Sequence, residues 1–336
     1  MEVLNGVLNR IKRIMAVKES GIVLAMLFLI LILSLISPRF FTVDNLLNIG
    51  RQTAIVGIMA VGLGMVMIAG NIDLSIGSIY GLGALITALI LKVTTNTALA
   101  LCGGLIVGLV IGICNGLLVV KIKMPSFIAT FGMMYVTRGI ALIITLGYPI
   151  TLLLEGVTLD SHPGFYFLGQ GLLFNKIPMQ FFFMIMIMLV AAYILHETIF
   201  GTHIFSVGSS ERASFASGIN VTRVRFLTYI ISGVLSSGAG ILAIAFIGSI
   251  LPTAGQGLEF EVFAAVIIGG VSMSGGEGSI FGIFIGSLIF GIIRNGLVLL
   301  GIGPFWQVFV IGIITIAAVA YDSLTWQKRQ ERVISA

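Results

Sequence analysis

Charged side chains are scarce in this 336-residue sequence. Asp, Glu, Lys and Arg together make up 9% of it, against about 25% in an ordinary soluble domain. Hydrophobic residues make up 58%, glycine contributes 43 positions, and the mean hydropathy is +1.16. A water-soluble protein of this length could not cover its surface with so few polar groups. The composition therefore predicts a membrane protein.

Cysteine and histidine are too few and too scattered to build a metal site. Cys102 and Cys114 lie in one apolar run, so neither a disulfide framework nor a Cys-x-x-Cys site is expected. His162, His196 and His203 never pair with a carboxylate at helical spacing, which argues against a zinc hydrolase. We therefore expect no metal and no metal-dependent catalysis.

A phosphate-binding loop is also missing. The chain contains no Gly-Lys dipeptide, so the G-x-x-x-x-G-K-[ST] pattern is absent. We therefore expect that the chain is not an enzyme, binds no cofactor and does not hydrolyse ATP by itself. The formal charge is +5, but the basic residues flank apolar runs instead of forming one patch, so nucleic acid is not an expected partner.

Long apolar runs dominate what is present. Crossing a bilayer takes about 20 apolar residues per helix, and the chain offers about ten such runs. We predict an all-α polytopic membrane protein, one domain over 1–336, in which the eighth run is short and glycine-rich at its end, as in a broken or tilted helix. The predicted spans are 20–37, 53–69, 75–92, 96–120, 127–146, 178–196, 226–249, 262–273, 279–301 and 305–321.

The basic residues predict the orientation, because cytoplasmic loops carry an excess of Lys and Arg. The segments that would be cytoplasmic hold Arg10, Lys12, Arg13, Lys18, Lys121, Lys123, Arg212, Arg223, Arg225, Lys328, Arg329 and Arg332. The outer segments hold only Arg39, Arg51, Lys92 and Lys176. We therefore predict cytoplasmic termini (1–19 and 322–336), a long outer segment at 147–177 and a long inner segment at 197–225.

Glycine recurs every fourth residue in two spans. The first series is Gly104, Gly108, Gly112 and Gly116; the second is Gly278, Gly282 and Gly286. Rows of small residues let helix backbones approach closely in lipid, so we expect tight helix packing along both, with lining of a pathway as the alternative.

Ionisable groups close to the spans are the candidates for function, because they are costly at membrane depth. Asn71, Asp73 and Ser75 interrupt two apolar runs, and they are interpreted either as a helix cap or as the lining of a translocation pathway. Glu259 and Glu261 precede the eighth span, where the helix dipole favours acids, and they carry the same two interpretations. For Arg138 and Arg294, which lie within spans, snorkelling towards the interface is a sufficient explanation.

The inner segment contains a candidate docking helix. Ser209 or Ser210 can cap a short helix that Gly218 ends. Such a helix would expose Ala213, Phe215 and Ile219, and these apolar residues have no core of their own. We interpret the segment as docking into a groove of another protein; a helix lying on the inner leaflet is the alternative.

At these residues the chain resembles the permease subunits of bacterial ABC importers for monosaccharides, the ribose, galactose, arabinose and autoinducer-2 group. Four blocks carry the resemblance, which covers essentially the whole chain: 70–77 (GNIDLSIG), 125–130 (PSFIAT), 217–221 (SGINV) with Ser232-Gly233, and 257–261 (GLEFE) through 265–270 to 274–276. The chain departs from the family at Asn71, where Gly is usual, at Glu261, where Asp is frequent, and at Gly208-Ser209-Ser210, where Gly-Gly-Asn is usual.

The resemblance implies that the chain is one subunit of a multi-subunit importer in the bacterial inner membrane. Two permeases, identical or paralogous, would form a central pathway that works by alternating access. A cytoplasmic ATPase subunit would bind ATP and Mg, and a periplasmic or lipid-anchored binding protein would deliver the sugar. The residues implied to couple this chain to the ATPase are Ser210, Glu211, Arg212, Ala213, Ser214, Phe215 and Gly218.

Two other classes of function remain open at the level of sequence. An ion-coupled secondary transporter needs a buried coupling-ion site, for which Asp73 is the only plausible candidate. A membrane receptor or scaffold would use segment 147–177 as its recognition surface.

Overall fold

The computed structural model describes residues 20–94 and 96–334. The predicted N-terminal segment 1–19, with four of the basic residues used for the orientation (Arg10, Lys12, Arg13 and Lys18), lies outside the described residues. The described chain is almost entirely helical. Its helices are α1 (Ser20–Ile36), α2 (Val43–Ile68), α3 (Ile76–Val93), α4 (Thr97–Gly116), α5 (Ser126–Thr145), α6 (Pro163–Gln170), α7 (Met179–Glu197), α8 (Ile199–Ser209), α9 (Glu211–Ala216), α10 (Val221–Ile247), α11 (Leu258–Ile268), α12 (Ile280–Leu299) and α13 (Pro304–Ile334).

Short irregular elements complete the described structure. A π-helical turn (Leu117–Lys121) extends α4, and a 3₁₀ turn (Leu152–Glu155) precedes α6. Four two-residue strands form two pairs. They are β1 (Ile150–Thr151) with β4 (Ser249–Ile250), and β2 (Leu172–Leu173) with β3 (Ile177–Pro178), both antiparallel.

Within the described residues, seven helices are long and apolar enough to cross a membrane: α2, α3, α4 with its π-helical turn, α5, α7, α10 and α12. The all-α polytopic fold is therefore confirmed. The other predicted spans correspond to α1, which has 17 residues, to α11, which has 11, and to α13. The short α11 matches the broken segment that the sequence predicts.

The apolar part of the last helix, Pro304–Ala320, agrees with the predicted span 305–321, and α13 itself continues to Ile334. Two other boundary predictions are wrong. The second span was expected to start at residue 53, but α2 starts at Val43. The inner segment 197–225 is not a loop with one helix, because α8 fills its first half. Thr198 starts α8 by accepting a hydrogen bond from the Gly201 amide at 3.2 Å.

Helix α2 forms the centre of the bundle because small residues on it admit neighbours from three sides. Gly57 lies against Met184 of α7, Gly62 against the backbone of Ser232 in α10, and Gly64 against Ile283 of α12. Helices α4, α5 and α7 are much more exposed than α2 and α3. The least exposed helices are therefore those that lead into the break between α2 and α3.

Both glycine rows pack against other helices, as predicted. Gly108 and Gly112 of α4 lie against the backbone carbonyls of Gly233 and Tyr229 in α10. Gly286 of α12 lies in the same way against the Ala265 carbonyl of α11. These contacts leave no room for a Cβ atom, so each pair of helices meets backbone to backbone.

The predicted outer segment 147–177 folds back onto one end of the bundle, which we call the strand end. The β1–β4 pair ties it to the loop after α10, and Lys92 forms an ion pair with Glu155 at 2.8 Å. The hydroxyl of Tyr166 donates to the Val157 carbonyl at 2.8 Å. Burial raises the pKa of the Tyr166 phenol, so the hydroxyl stays protonated and keeps donating.

The packing of α4 on α10 predicts a sharp difference between two glycine substitutions. In Gly108→Ala the new methyl group overlaps the Gly233 carbonyl, and we expect a loss of about 1–3 kcal/mol, as for other overpacked cores. In Gly132→Ala, on α5, nothing lies within 4 Å of the new atom, so stability should hold or rise. The measurement is the thermal unfolding midpoint of each purified variant in detergent. Equal midpoints would contradict the backbone contact.

Candidate functional site

The chain between α2 and α3, residues 69–75, is not helical and crosses the buried part of the bundle; we call it the linker. It begins at the end of the bundle that carries α9, the α9 end, where the Gly276 amide donates to the Ile68 carbonyl at 2.8 Å. Asp73 and Ser75 are 1% and 0% exposed, and Asn71 is 9% exposed. An extended segment in such a place has to satisfy its backbone groups within the protein, because lipid offers no hydrogen bonds.

Side chains of α5 and α10 hold the linker backbone. Ser126 accepts a hydrogen bond from the Ile72 amide at 3.3 Å, and Thr130 accepts one from the Leu74 amide at 3.1 Å. From the other side, the Tyr229 hydroxyl donates to the Ile72 carbonyl at 3.1 Å. The linker is thereby fixed between two helices that are far apart in sequence.

The carboxylate of Asp73 is fully engaged. Its Oδ1 accepts from the Ser75 amide and hydroxyl at 3.0 and 2.6 Å, and its Oδ2 accepts from the Ser232 hydroxyl at 2.9 Å. The Ser75 hydroxyl in turn accepts from the Asn115 side chain at 2.8 Å. Asp73 therefore organises the turn that starts α3. Ser75 occupies the N-cap position of α3 without accepting a side-chain cap bond. Of the predicted capping residues, Asp73 therefore accepts a backbone amide at the helix start and Ser75 does not.

Helix α11 begins inside the bundle and brings Glu259 to the same place from the strand end. Gly257, at φ +85°, turns the chain into α11, and Glu259 and Glu261 lie in its first turn. The Glu259 carboxylate is 3% exposed and lies directly against Gly77, in the first turn of α3. The start of α3 thus has Asp73 on one side and Glu259 on the other, and its helix dipole favours both negative charges.

The snorkelling interpretation of Arg138 is wrong. Its guanidinium Nη2 lies 3.8 Å from Glu259 Oε1, and the Arg138 side chain is 14% exposed. Arg138 Nε and Glu259 Oε2 have no hydrogen-bond partner, and neither does the neighbouring hydroxyl of Thr137. This loosely bonded pair therefore carries spare donors and acceptors inside the bundle.

Arg294 is also paired, although it is more exposed. Its Nη1 lies 3.3 Å from Glu261 Oε2, with the two side chains 47% and 13% exposed. Two arginines from different helices thus face the two acids of one turn of α11. Two acids and two arginines are therefore collected near the N-terminus of the short helix α11, and ionisable groups at membrane depth are a signal of function.

The predicted coupling residues form a separate site at the α9 end. Ser210 caps α9 by accepting from the Ala213 amide at 3.3 Å, and Gly218 ends the following turn with φ +81°. Phe215 is 77% exposed, and Ala213 is also exposed. Ser214, by contrast, is 4% exposed. Glu211 and Arg212 lie on the exposed first turn with Ala213, so the helix presents an apolar and charged surface.

The structure therefore divides the candidate residues into two places. Asp73 and Ser75 meet Glu259 around the start of α3, with Glu261 one turn further along α11, whereas Asn71 donates to the nearby Ala69 carbonyl at 3.4 Å. The coupling residues 210–218 lie apart, on α9. Sequence reasoning missed Arg138 as the partner of Glu259, although an arginine inside a span is itself a signal of function.

The pair formed by Arg138 and Glu259 predicts a graded effect on stability. Arg138→Met leaves the buried Glu259 carboxylate without an opposite charge, and we expect a loss of about 3 kcal/mol. Adding Glu259→Gln should recover most of it, because the isolated charge is gone. Lys92→Met breaks the more exposed pair with Glu155 (46% and 31% exposed) and should cost less than about 1 kcal/mol.

The measurement is the denaturation midpoint of the variants in detergent. If the double variant is as unstable as Arg138→Met, the two side chains do not form a pair.

Comparisons with known proteins agree with this architecture. The family model described as "Branched-chain amino acid transport system / permease component" matches residues 45–319. The ribose import permease RbsC of Escherichia coli (strain K12) is 39% identical over 306 residues, covering 91% of this chain and 94% of the relative. RbsC of Bacillus subtilis (strain 168) is 40% identical over 305 residues, with 91% and 92% covered.

The L-arabinose ABC transporter permease AraH of Azospirillum brasilense is 30% identical over 318 residues, with 95% and 91% covered. No solved structure matches the chain. The family model and the relatives cover the linker, α11 and α9 alike. The chain therefore belongs to the family of transport-system permease components that this model describes.

Proposed function

We propose that this chain is the membrane-spanning permease subunit of an ATP-driven importer for a sugar or a sugar-like solute. The family description names branched-chain amino acids, whereas the similar relatives are named for ribose and L-arabinose. We take the solute class from the relatives, because they match this chain over more than nine-tenths of its length. The name of the L-arabinose relative, an ABC transporter permease, also favours ATP-driven transport over the ion-coupled alternative.

The observation that carries the proposal is the meeting of two interrupted segments at the start of α3. The linker enters from the α9 end and α11 from the strand end, and Glu259 faces Gly77 between them. Carboxylates and guanidinium groups bond sugar hydroxyls as acceptors and donors. The candidate pathway residues are Asn71, Asp73, Ser75, Glu259 and Glu261, to which the structure adds Arg138. Opening this junction to one side at a time would give alternating access.

The proposed partners follow from the exposed surface of α9 and from the family. A cytoplasmic ATPase would bind α9 and hold the ATP and Mg. A periplasmic or lipid-anchored protein would deliver the sugar at the strand end, and a second permease, identical or paralogous, would complete the pathway. Asp73 is not suited to be a coupling-ion site in this conformation, because its oxygens already accept bonds from Ser75 and Ser232.

We further propose ten crossings of the bacterial inner membrane with both termini in the cytoplasm. Contacts at the two ends of the bundle support this number of crossings. Gly70, Gly208 and Gly275 meet at the α9 end, and β1 and β4 meet at the strand end. Both groupings are those that ten crossings require.

The proposed topology predicts which of two exposed positions a membrane-impermeant reagent can reach from outside the cell. In a background with Cys102→Ala and Cys114→Ala, Leu154→Cys should react with a membrane-impermeant thiol reagent in intact cells, because Leu154 is 84% exposed at the strand end. Arg212→Cys, exposed on α9, should react only after the membrane is opened. The measurement is labelling yield in intact and permeabilised cells. The reverse pattern would overturn the orientation and the ATPase-docking assignment with it.

The docking helix predicts a loss of partner binding from one substitution. Burying a Phe side chain contributes about 1.5–3 kcal/mol, so Phe215→Asp, which also brings a charge into the groove, should lower recovery of the ATPase on co-purification at least about tenfold and abolish uptake. Phe215→Leu should keep the partner. Phe174→Asp, at an 82% exposed position beside β3, is the matched control and should leave association unchanged.

The alternative, a helix lying on the lipid surface, predicts that Phe215→Asp still co-purifies with the ATPase. That result would refute the docking assignment.

A further inference from the structure

Three side chains on one face of α10 bond the linker in succession. Arg225 Nε donates to the Ala69 carbonyl at 3.3 Å, the Tyr229 hydroxyl donates to the Ile72 carbonyl at 3.1 Å, and the Ser232 hydroxyl donates to Asp73 at 2.9 Å. Their spacing of four and three residues places them along one stripe of the helix. We call Arg225, Tyr229 and Ser232 the α10 ladder. Each of them bonds a different part of the linker, from its first residue to its central carboxylate.

The first member of the ladder also bonds the docking helix. Arg225 Nη1 lies 2.8 Å from Glu211 Oε2 in α9, with the two side chains 19% and 59% exposed. One guanidinium therefore joins α9 to the linker directly. Arginine is suited to this double role because its donors form a rigid planar fork, whereas the single ammonium of lysine has no such fork.

Backbone packing makes the same junction stiff. Gly208, just before α9, lies against the Ile68 carbonyl and the Gly276 amide, with no room for a Cβ atom between them. Gly70 and Gly275 are in contact beside them. Tightly packed contacts of this kind transmit displacement instead of absorbing it. A shift of α9 would therefore reach the beginning of the linker.

From these contacts, we propose that the α10 ladder transmits the movement of α9 to the linker and thereby to the start of α3. Arg225 is the member that contacts both α9 and the linker. Arg225, Tyr229 and Ser232 are assigned as positioning residues, because they act through the linker and α9. The linker is the proposed moving element, because its backbone runs from the α9 end to the carboxylate of Asp73 before α3. This inference rests on the proposed function, in which α9 docks on an ATPase.

The alternative is that the ladder only stabilises the fold. The two explanations differ in one ratio, the amount of solute imported per ATP hydrolysed. A stabilising role lowers the yield of folded complex but leaves that ratio unchanged in the complex that survives. A transmitting role lowers the ratio while the ATPase still binds and still turns over.

The test uses the complete complex, with ATPase and binding protein, in proteoliposomes, and ribose and L-arabinose as probes. Arg225→Lys keeps the charge but not the fork, and Tyr229→Phe removes only a buried hydroxyl that does not touch α9. We expect both variants to retain the ATPase on co-purification and to hydrolyse ATP within about twofold of the unaltered chain. Uptake per ATP should fall at least tenfold. Arg223→Lys, two residues from Arg225 and exposed, is the matched control and should keep the ratio.

A second measurement does not depend on the probe sugar. Hydrogen exchange of segment 69–75 should differ between the nucleotide-free complex and the complex trapped with ATP and vanadate, and both ladder variants should lose that difference. An unchanged uptake ratio and an unchanged exchange difference in both variants would overturn this inference alone. A complex of the unaltered chain that shows neither ATP-dependent uptake nor an exchange difference would overturn the proposed function together with it.

Discussion

The structure depends on satisfying an extended stretch of backbone inside a helical bundle. Between α2 and α3 the chain leaves the helix for residues 69–75, most of which are buried. Ser126, Thr130 and Tyr229 supply hydrogen bonds to the backbone of this stretch. Because these residues come from α5 and α10, the positions of both helices are set by the linker. A buried amide or carbonyl left without a partner would cost about 1–3 kcal/mol, so these hydrogen bonds hold α5 and α10 against the linker.

The same interruption creates a buried place where this apolar chain holds charge. Breaking a helix exposes its first amides, and the start of α3 accordingly collects two carboxylates, Asp73 from the linker and Glu259 from α11. Their surroundings differ. Asp73 accepts hydrogen bonds from two hydroxyl groups and an amide. Glu259 Oε1 lies 3.8 Å from Arg138, and Glu259 Oε2 has no hydrogen-bond partner. Asp73 therefore holds the backbone, whereas the free oxygen of Glu259 supports its proposed role in the pathway.

Glycine contacts determine which helices pack backbone to backbone. Where α4 meets α10 and where α11 meets α12, backbones touch through Gly108 and Gly286, so each pair behaves as a rigid body. The linker belongs to neither pair. In the proposed mechanism, a displacement of α9 is delivered to the linker through Arg225. The candidate pathway and the candidate coupling surface, which lie apart, are in this way connected through hydrogen bonds instead of by proximity.

The sequence by itself determined the class of fold, the broken eighth helix, the glycine contacts and the capped helix α9, because each follows from local composition or from short, regular spacing. It also located Asp73 and Glu259 as acids at helix starts, whereas their burial is seen in the structure. It did not determine that Arg138 faces Glu259, that Arg225 joins α9 to the linker, or that Ser126 and Thr130 hold the linker. These pairings join residues many positions apart. Only the tertiary structure shows these pairings. Helix packing determines which faces are in contact, and the residue pattern of one helix carries no information about which other helix it will contact.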